Sequence, residues 1–234
     1  MIEILCPVLE RPQNAAKMAE SVRGATTEPW RLSFICSPHD KAEREACVAE
    51  SKADSRVAVM STYFEHGPCD YAKKINFACK WTMSEWLLLA GDDLRFHSNW
   101  DTHALQAAEE SGKQVIGTND LSNPTVMRGL HSTHPLVKRS YYLDYGTVDD
   151  PKKLLHEGYQ HQFVDTEFVE TAKARNQWVF CAHSHVEHLH PIFNKGEMDY
   201  TYQRGLGTAH EDSQTFYDRR HLWMKDLREV ERSR

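Results

Sequence analysis

Two adjacent carboxylates, Asp92 and Asp93, close the apolar run Trp86-Leu87-Leu88-Leu89-Ala90-Gly91. A buried strand that emerges into paired acids at its carboxyl end has the makings of a hard-cation site, since carboxylate oxygens suit Mg2+ or Mn2+ and leave coordination places for phosphate. An acidic turn without a ligand fits the same pattern. A second acidic pair, Asp165 and Glu167, opens a helix-like stretch. A carboxylate there either satisfies free backbone N–H groups or serves as a general base, and the two side chains point in different directions. The third grouping, His183-x-His185-x-x-His188-x-His190, puts four of the 14 histidines within eight residues. If 182–186 is extended, His183 and His185 share a face, and a second extended piece pairs His188 with His190. All four therefore do not converge on one ion. A dedicated zinc site would add further thiolates or carboxylates, and Cys181 alone is weak support. The alternative for each histidine is a satisfied polar position beside a sheet edge.

The elements that must position these groups alternate. Ile2 to Val8 is a short apolar run, and Ala15, Met18, Ala19 and Val22 then recur at helical spacing up to Gly24. Leu32 to Cys36 and Arg56 to Met60 read as strands flanking a polar helix over Lys41 to Ser51. Gly67-Pro68 breaks the chain before a helix in which Ala72, Ile75, Cys79 and Thr82 share a face. After the strand from Trp86, a helix over Trp100 to Glu110 and a strand over Gln114 to Gly117 follow. Strand-helix alternation predicts an α/β fold with a mostly parallel central sheet and helices on both faces. Residues 118–162, rich in Asn, His, Tyr and Gly, break the rhythm and read as a functional segment. A helix over Asp165 to Arg175 and a strand over Gln177 to Ala182 follow. From about Glu211 the chain reads as a charged amphipathic helix with Phe216, Trp223, Leu227 and Val230 near one stripe. The expected organisation is one domain over 1–210 with a C-terminal helical extension over 211–234.

Composition narrows the function classes. The 234 residues are 40% hydrophobic and 26% charged, with net charge −6, long enough for a large core and lacking the Lys/Arg clusters of a broad nucleic-acid footprint. Six scattered cysteines without a Cys-x-x-Cys pair or a leader read as reduced, mostly buried thiols, which predicts a cytoplasmic protein. No apolar stretch approaches the ~20 residues of a membrane span. There is no Gly-x-x-x-x-Gly-Lys-Ser/Thr loop, and the first strand is followed by Pro and Arg rather than Gly-x-Gly-x-x-Gly, which excludes the common glycine cradles for phosphate. A divalent cation on Asp92-Asp93 can neutralise a diphosphate instead, stabilising its departure as a Lewis acid by several kcal/mol.

Taken in order, several segments resemble the Rossmann-like glycosyltransferase A fold, in particular family-2-like bacterial and phage enzymes that use nucleotide-sugar donors. Ile4-Leu5-Cys6-Pro7-Val8-Leu9-Glu10-Arg11-Pro12 resembles the opening strand and nucleotide-contacting loop. Lys74-Ile75-Asn76-Phe77-Ala78 and Glu85-Trp86-Leu87-Leu88-Leu89 resemble the helix and strand leading to the Asp-x-Asp motif, and Asp92-Asp93-Leu94 with Trp100-Asp101 the motif itself. Val164-Asp165-Thr166-Glu167 is similar to the segment that supplies the catalytic base. Gly91 stands where many relatives have the first Asp.

The resemblance implies a metal-dependent hexosyltransferase. It makes Asp93 the ligand of Mn2+ or Mg2+ on the diphosphate of a UDP- or GDP-sugar, with His188, then His190, as late metal ligands, and leaves Asp92 for the ribose or a metal-bound water. Asp165, with Glu167 beside it, becomes the base of an inverting transfer to an acceptor hydroxyl. Pro7 and Arg11 fall on the nucleotide side, where Arg11 is either a diphosphate partner or a solvated residue. Ser37 or Asp40, at the end of the second strand, reaches base or ribose, or caps a turn. Tyr141, Tyr142, Tyr145 and Tyr159 are sugar-stacking or core residues, and His131 and His134 fall on the acceptor side. The acceptor is open: a glycan, a lipid-linked sugar, a protein or modified DNA. Two other readings stand beside this one, a sugar nucleotidyltransferase and a catalytically inactive nucleotide- or metal-binding module of the same fold.

Overall fold

A computed structural model describes residues 1–224. The elements run β1 (Ile2–Pro7), α1 (Pro12–Ala25), β2 (Trp30–Cys36), α2 (Lys41–Ala53), β3 (Val57–Ser61), α3 (Asp70–Trp81), β4 (Trp86–Leu89), β5 (Leu94–Phe96), α4 (Trp100–Ser111), β6 (Val115–Asn119), α5 (Pro124–Met127), β7 (Leu136–Lys138), α6 (Arg139–Asp144), α7 (Val164–Ala174), β8 (Trp178–His188), α8 (Tyr200–Gly207) and α9 (Ala209–Arg219). The strands form one sheet in the order β3-β2-β1-β4-β7-β6-β8-β5.

β3, β2, β1 and β4 are parallel, as the strand-helix alternation requires. β7 is laid antiparallel between β4 and β6, β8 returns parallel to β6, and β5 closes the far edge antiparallel to β8. Parallel pairings thus still outnumber antiparallel ones, but the half of the sheet beyond β4 is mixed. Neither β5 nor β7 was expected from the sequence. β8 also runs unbroken to His188, past the expected end at Ala182, with a register irregularity opposite Gly117 and Asn119. His188 and His190 therefore do not form a separate extended pair.

Apolar side chains on the two sheet faces make two cores. One face buries Met18 and Val22 of α1, Cys47 of α2 and Trp100 and Ala104 of α4 against Ile4, Leu32, Phe34 and Leu88. The other buries Ile75 of α3, Tyr141 of α6 and Phe168 and Val169 of α7 against Leu5, Ile35, Leu87 and Leu89. Alternate residues of β1 and β4 thus serve opposite cores, which is why β4 is apolar throughout and β1 nearly so, its one acid, Glu3, accepting from Ser33, Thr82 and Ser84.

The described part of the C-terminal segment packs onto this body. Phe216 and Trp223 are buried in the second core, and the buried carboxylate of Asp212 accepts hydrogen bonds from the backbone N–H groups of Gln160, His161 and Gln162. Leu227 and Val230, expected on the same stripe, lie outside the described residues. All six cysteines are free, and among the described residues no helix is long and apolar enough to cross a membrane.

Candidate metal and donor site

The carboxyl ends of β1 and β4 open into a cavity of about 420 Å³. Its walls come from the loop after β1 (Pro7, Val8, Leu9, Arg11), the start of α3 (Asp70, Tyr71), the turn after β4 (Gly91, Asp92, Asp93), the approach to β7 (Thr133, His134), the loop into α7 (Gln160 to Gln162, Val164, Asp165), the end of β8 and its exit (His188, His190), and α8 (Thr201, Tyr202, Arg204). Chain segments that the sequence lists far apart meet here because the cavity sits at the crevice between β1 and β4.

Asp93, His134 and His188 are grouped so that they could hold a metal ion, with one ligand atom from each lying within 4.8 Å of the others. The antiparallel pairing of β5 with β8 brings His188 opposite Leu94, and the Leu189 N–H closes on the Asp93 carbonyl at 2.9 Å. His188 Nε2 donates to Asp93 Oδ2 at 3.1 Å, and the Tyr202 hydroxyl donates to the same oxygen at 2.6 Å. Burial alone would raise the Asp93 pKa, but the His188 charge and these two hydrogen bonds hold it well below the usual carboxylate range. His188 moves the other way: burial works against its charged form, and Asp93 more than compensates.

His134 supplies the test of whether a metal fits. Its Nδ1 lies 3.0 Å from the Leu89 carbonyl, which can only accept, so the proton sits on Nδ1 and the Nε2 lone pair is free. Nε2 is buried without a hydrogen-bond partner. Burial, with His188 nearby, lowers the ring's pKa to about 4, so it is neutral at neutral pH. A carbonyl-oriented neutral imidazole beside an ionised carboxylate is the donor set of a divalent cation.

Gly91 also gains a reason. A Cβ there would lie 2.8 Å from Asp93 Oδ1 and 3.7 Å from the His134 ring. A side chain there would crowd the Asp93 carboxylate.

Asp92 is buried and does not join the ligand group. Its Oδ1 accepts from Arg11 Nη1 at 3.0 Å and its Oδ2 from Asn14 Nδ2 at 3.4 Å. Burial and the neighbouring Asp93 push its pKa up to about 7, against the pull of Arg11. Arg11, expected as either a solvated residue or a phosphate partner, is only 6% exposed and lies 3.9 Å from Asp93 Oδ2. Its other edge meets Asp199, and the Tyr202 ring covers it at 3.8 Å. His190 stacks edge-on against Tyr202 and against His188 at ring separations of 4.6 and 5.1 Å, so it borders the ligand group without completing it.

The two acids of α7 part company. Asp165 lines the cavity and accepts from His131 Nε2 at 3.1 Å and from the Thr166 N–H at 2.8 Å. Burial would raise its pKa, but His131 and the backbone lower it, while Asp165 in turn raises that of His131 against the cost of burial. Glu167, expected beside it as a catalytic partner, faces away: it accepts from Tyr159 Oη and from two nitrogens of Arg219. A first-turn position explains the split, because residues two apart on a helix face differ by about 200°.

The remaining expected residues fall elsewhere. Pro7 lines the cavity, but Ser37 is fully buried off its wall, and Asp40 caps α2 while accepting from the Glu10 N–H. Tyr141, Tyr142 and Tyr159 are core residues. His183 and His185 face α4 and the turn before it, stacked on His103 and His97. No sequence signal marked Tyr202 or Asp199, and His134, expected on the acceptor side, lies with Asp93 and His188. Only its position within the irregular segment 118–162 pointed to it.

No family model matches the chain, and no curated protein matches it. Solved structures do. A mannosyltransferase from Pyrobaculum calidifontis in complex with GDP-Man and Mn2+ matches 81% of this chain and 57% of its own length with a TM-score of 0.63 at 10% identity. TarS (1–349) from S. aureus in complex with UDP-GlcNAc matches 79% of this chain and 57% of its own length, with a TM-score of 0.60 at 12% identity. Glucosyl-3-phosphoglycerate synthase from Mycobacterium tuberculosis, with Mn2+, UDP and glucosyl-3-phosphoglycerate, matches 88% of this chain and 75% of its own length, with a TM-score of 0.57 at 10% identity. This chain spans little more than half the length of the first two. Its fold is that of the glycosyltransferase A enzymes.

Proposed function

We propose that this chain, built on that fold, is a metal-dependent glycosyltransferase that moves a sugar from a nucleotide-diphosphate donor to an acceptor hydroxyl, with inversion. The observation that carries the reading is the convergence of Asp93, His134 and His188 at a cavity that Asp165 also lines. Asp93, His134 and His188 would hold Mn2+ or Mg2+, with His190 at its border. When bound, the cation supplies Lewis-acid stabilisation of the departing diphosphate.

The chain's own groups do the rest. Arg11 adds a fixed positive charge beside Asp93 for the diphosphate oxygens. Asp165, kept ionised and oriented by His131, accepts the acceptor's hydroxyl proton as that oxygen attacks the anomeric carbon. The bond from that carbon to the phosphate oxygen breaks on the opposite side, and its electron pair leaves with the nucleoside diphosphate. Pro7, Val8 and Leu9 wall the nucleotide end, and Gln160 to Gln162, held by Asp212, wall the end nearer the base. The acceptor is a glycan, lipid-linked sugar, protein or modified DNA that reaches this opening from solution or a surface.

Thermal unfolding with a panel of UDP- and GDP-sugars, with and without Mn2+, tests the reading. One donor at saturating concentration should raise the midpoint by about 5–10 °C, and only with the metal present. Asp165→Asn should keep that shift and lose transfer by about 10²- to 10⁴-fold. If no nucleotide sugar shifts the midpoint in Mn2+, the reading falls.

A further inference from the structure

Arg11 is held in a clamp whose two jaws differ. On one side Nη1 meets the buried Asp92 at 3.0 Å. On the other, Nε and Nη2 meet the two oxygens of Asp199 at 2.9 and 3.3 Å, a bidentate fork on a carboxylate whose side chain is 38% exposed. Asp199 is also the N-cap of α8, accepting from the Tyr202 N–H at 2.9 Å. The same first turn carries Tyr202, whose ring lies on the guanidinium and whose hydroxyl occupies Asp93 Oδ2.

A planar guanidinium fork reads a carboxylate and a phosphate by the same geometry. Asp199 therefore satisfies Arg11 as two phosphate oxygens would. The two cannot share that edge: a diphosphate drawn to Asp93 and Arg11 would bring its oxygens against an ionised carboxylate at hydrogen-bond distance, where like charges repel. Three acids, Asp92, Asp93 and Asp199, now surround one arginine, an excess of negative charge that a divalent cation relieves and an incoming diphosphate restores.

We propose that Asp199 is a placeholder for a donor phosphate on Arg11, and that donor binding displaces it together with the first turn of α8. The proposal rests on the donor reading above. It makes Asp199 a positioning residue that sets how readily the donor enters, and it couples phosphate entry at Arg11 to the release of Tyr202 from the ligand oxygen of Asp93.

The test is titration calorimetry of the full chain with UDP and with GDP, each in Mn2+, comparing the native protein with Asp199→Asn. Asn caps a helix as well as Asp does, so this change removes the charge and keeps the start of α8. The bound nucleotide should bind about three- to ten-fold tighter in Asp199→Asn. On an Arg11→Gln background the gain should vanish. Binding that is unchanged or weaker in Asp199→Asn overturns the proposal, because a residue that only caps α8, or that itself holds the nucleotide, gives that result. A gain that survives Arg11→Gln overturns it as well. If Arg11→Gln does not fold, the single comparison of Asp199→Asn with the native protein still decides. Nucleotide binding by the native protein without a gain in the variant sinks the placeholder and spares the donor reading, whereas silence of both proteins toward both nucleotides sinks both. Binding seen only in Asp199→Asn supports the placeholder.

Discussion

Arg219 and Arg11 are each wedged between two acidic side chains, Glu167 and Asp149 in one case, Asp92 and Asp199 in the other. Around Arg219 the bonding is complete. Both oxygens of Glu167 are engaged, by Arg219 and by the Tyr159 hydroxyl, and among the described residues the cavity that adjoins Glu167 is only about 10 Å³. Around Arg11 it is not: one step away lie a ligand group with an unpartnered buried His134 nitrogen and a cavity of about 420 Å³. Residue type and burial are alike in the two places, though a third acid, Asp93, lies near Arg11. What separates a structural cluster from a chemical one here is unspent bonding capacity facing open space. Asp165 and Glu167 make the same point within one helical turn, since the first looks into the cavity and the second completes the closed cluster.

The contrast breaks most sharply at Asp93. Asp93→Ala should lower Mn2+-dependent turnover by about 10³-fold or more, with a smaller fall in the metal-free melt, because His188 and Tyr202 lose their shared acceptor while Asp92 loses a like-charged neighbour. Donor turnover and a thermal melt in metal-free buffer measure the two effects. Retained turnover would place the metal elsewhere. Glu167→Ala should do the reverse, costing about 3 kcal/mol in urea unfolding by leaving Arg219 half-paired, with nucleotide affinity intact below the transition. Loss of nucleotide binding by the folded variant would mean the two clusters are not independent.

The smallest effect comes from Asp149. Hydrogen bonds from Arg219 hold its pKa down to about 2. A carboxyl depressed in the folded state adds stability above its unfolded pKa, and that stability is lost as pH falls from about 4 to 2. Asp149→Asn should therefore cost under about 1 kcal/mol at pH 7 and flatten the fall of the melting temperature across that acid window. An unchanged slope would assign the acid sensitivity to other groups.

Much of the frame was legible because its signals are local. β1 to β4 and the helices between them are contiguous apolar runs or clear periodic faces. β5 and β7 have three residues each, too few to show a period, and they exist because Arg95 finds Glu187 and Leu136 finds Leu88 and Ile116 across the sheet. The site follows the same division. Asp93, His188 and Asp165 could be picked out from acidic turns, histidine density and the order of motifs. Asp199 and Tyr202 could not, since they reach Arg11 and Asp93 across 188 and 109 residues and no short pattern marks them. Glu167 was misleading for a related reason: its partner Arg219 lies 52 residues away, so the sequence showed an acid without showing that it was already spent.

His134 stands at the entrance to β7, the strand slotted between β4 and β6. Asp93 follows β4 on one side of that slot, and His188 ends β8 beyond the other. A chain in which β7 has not yet docked offers a cation two ligands at most, and a chain with a finished sheet offers three. Binding of an ion there would draw on β4, β7 and β8 together, so its free energy would oppose separation of those strands rather than fraying at any one of them. An ion held there would be retained by copies with β7 in place and held less well by those without it.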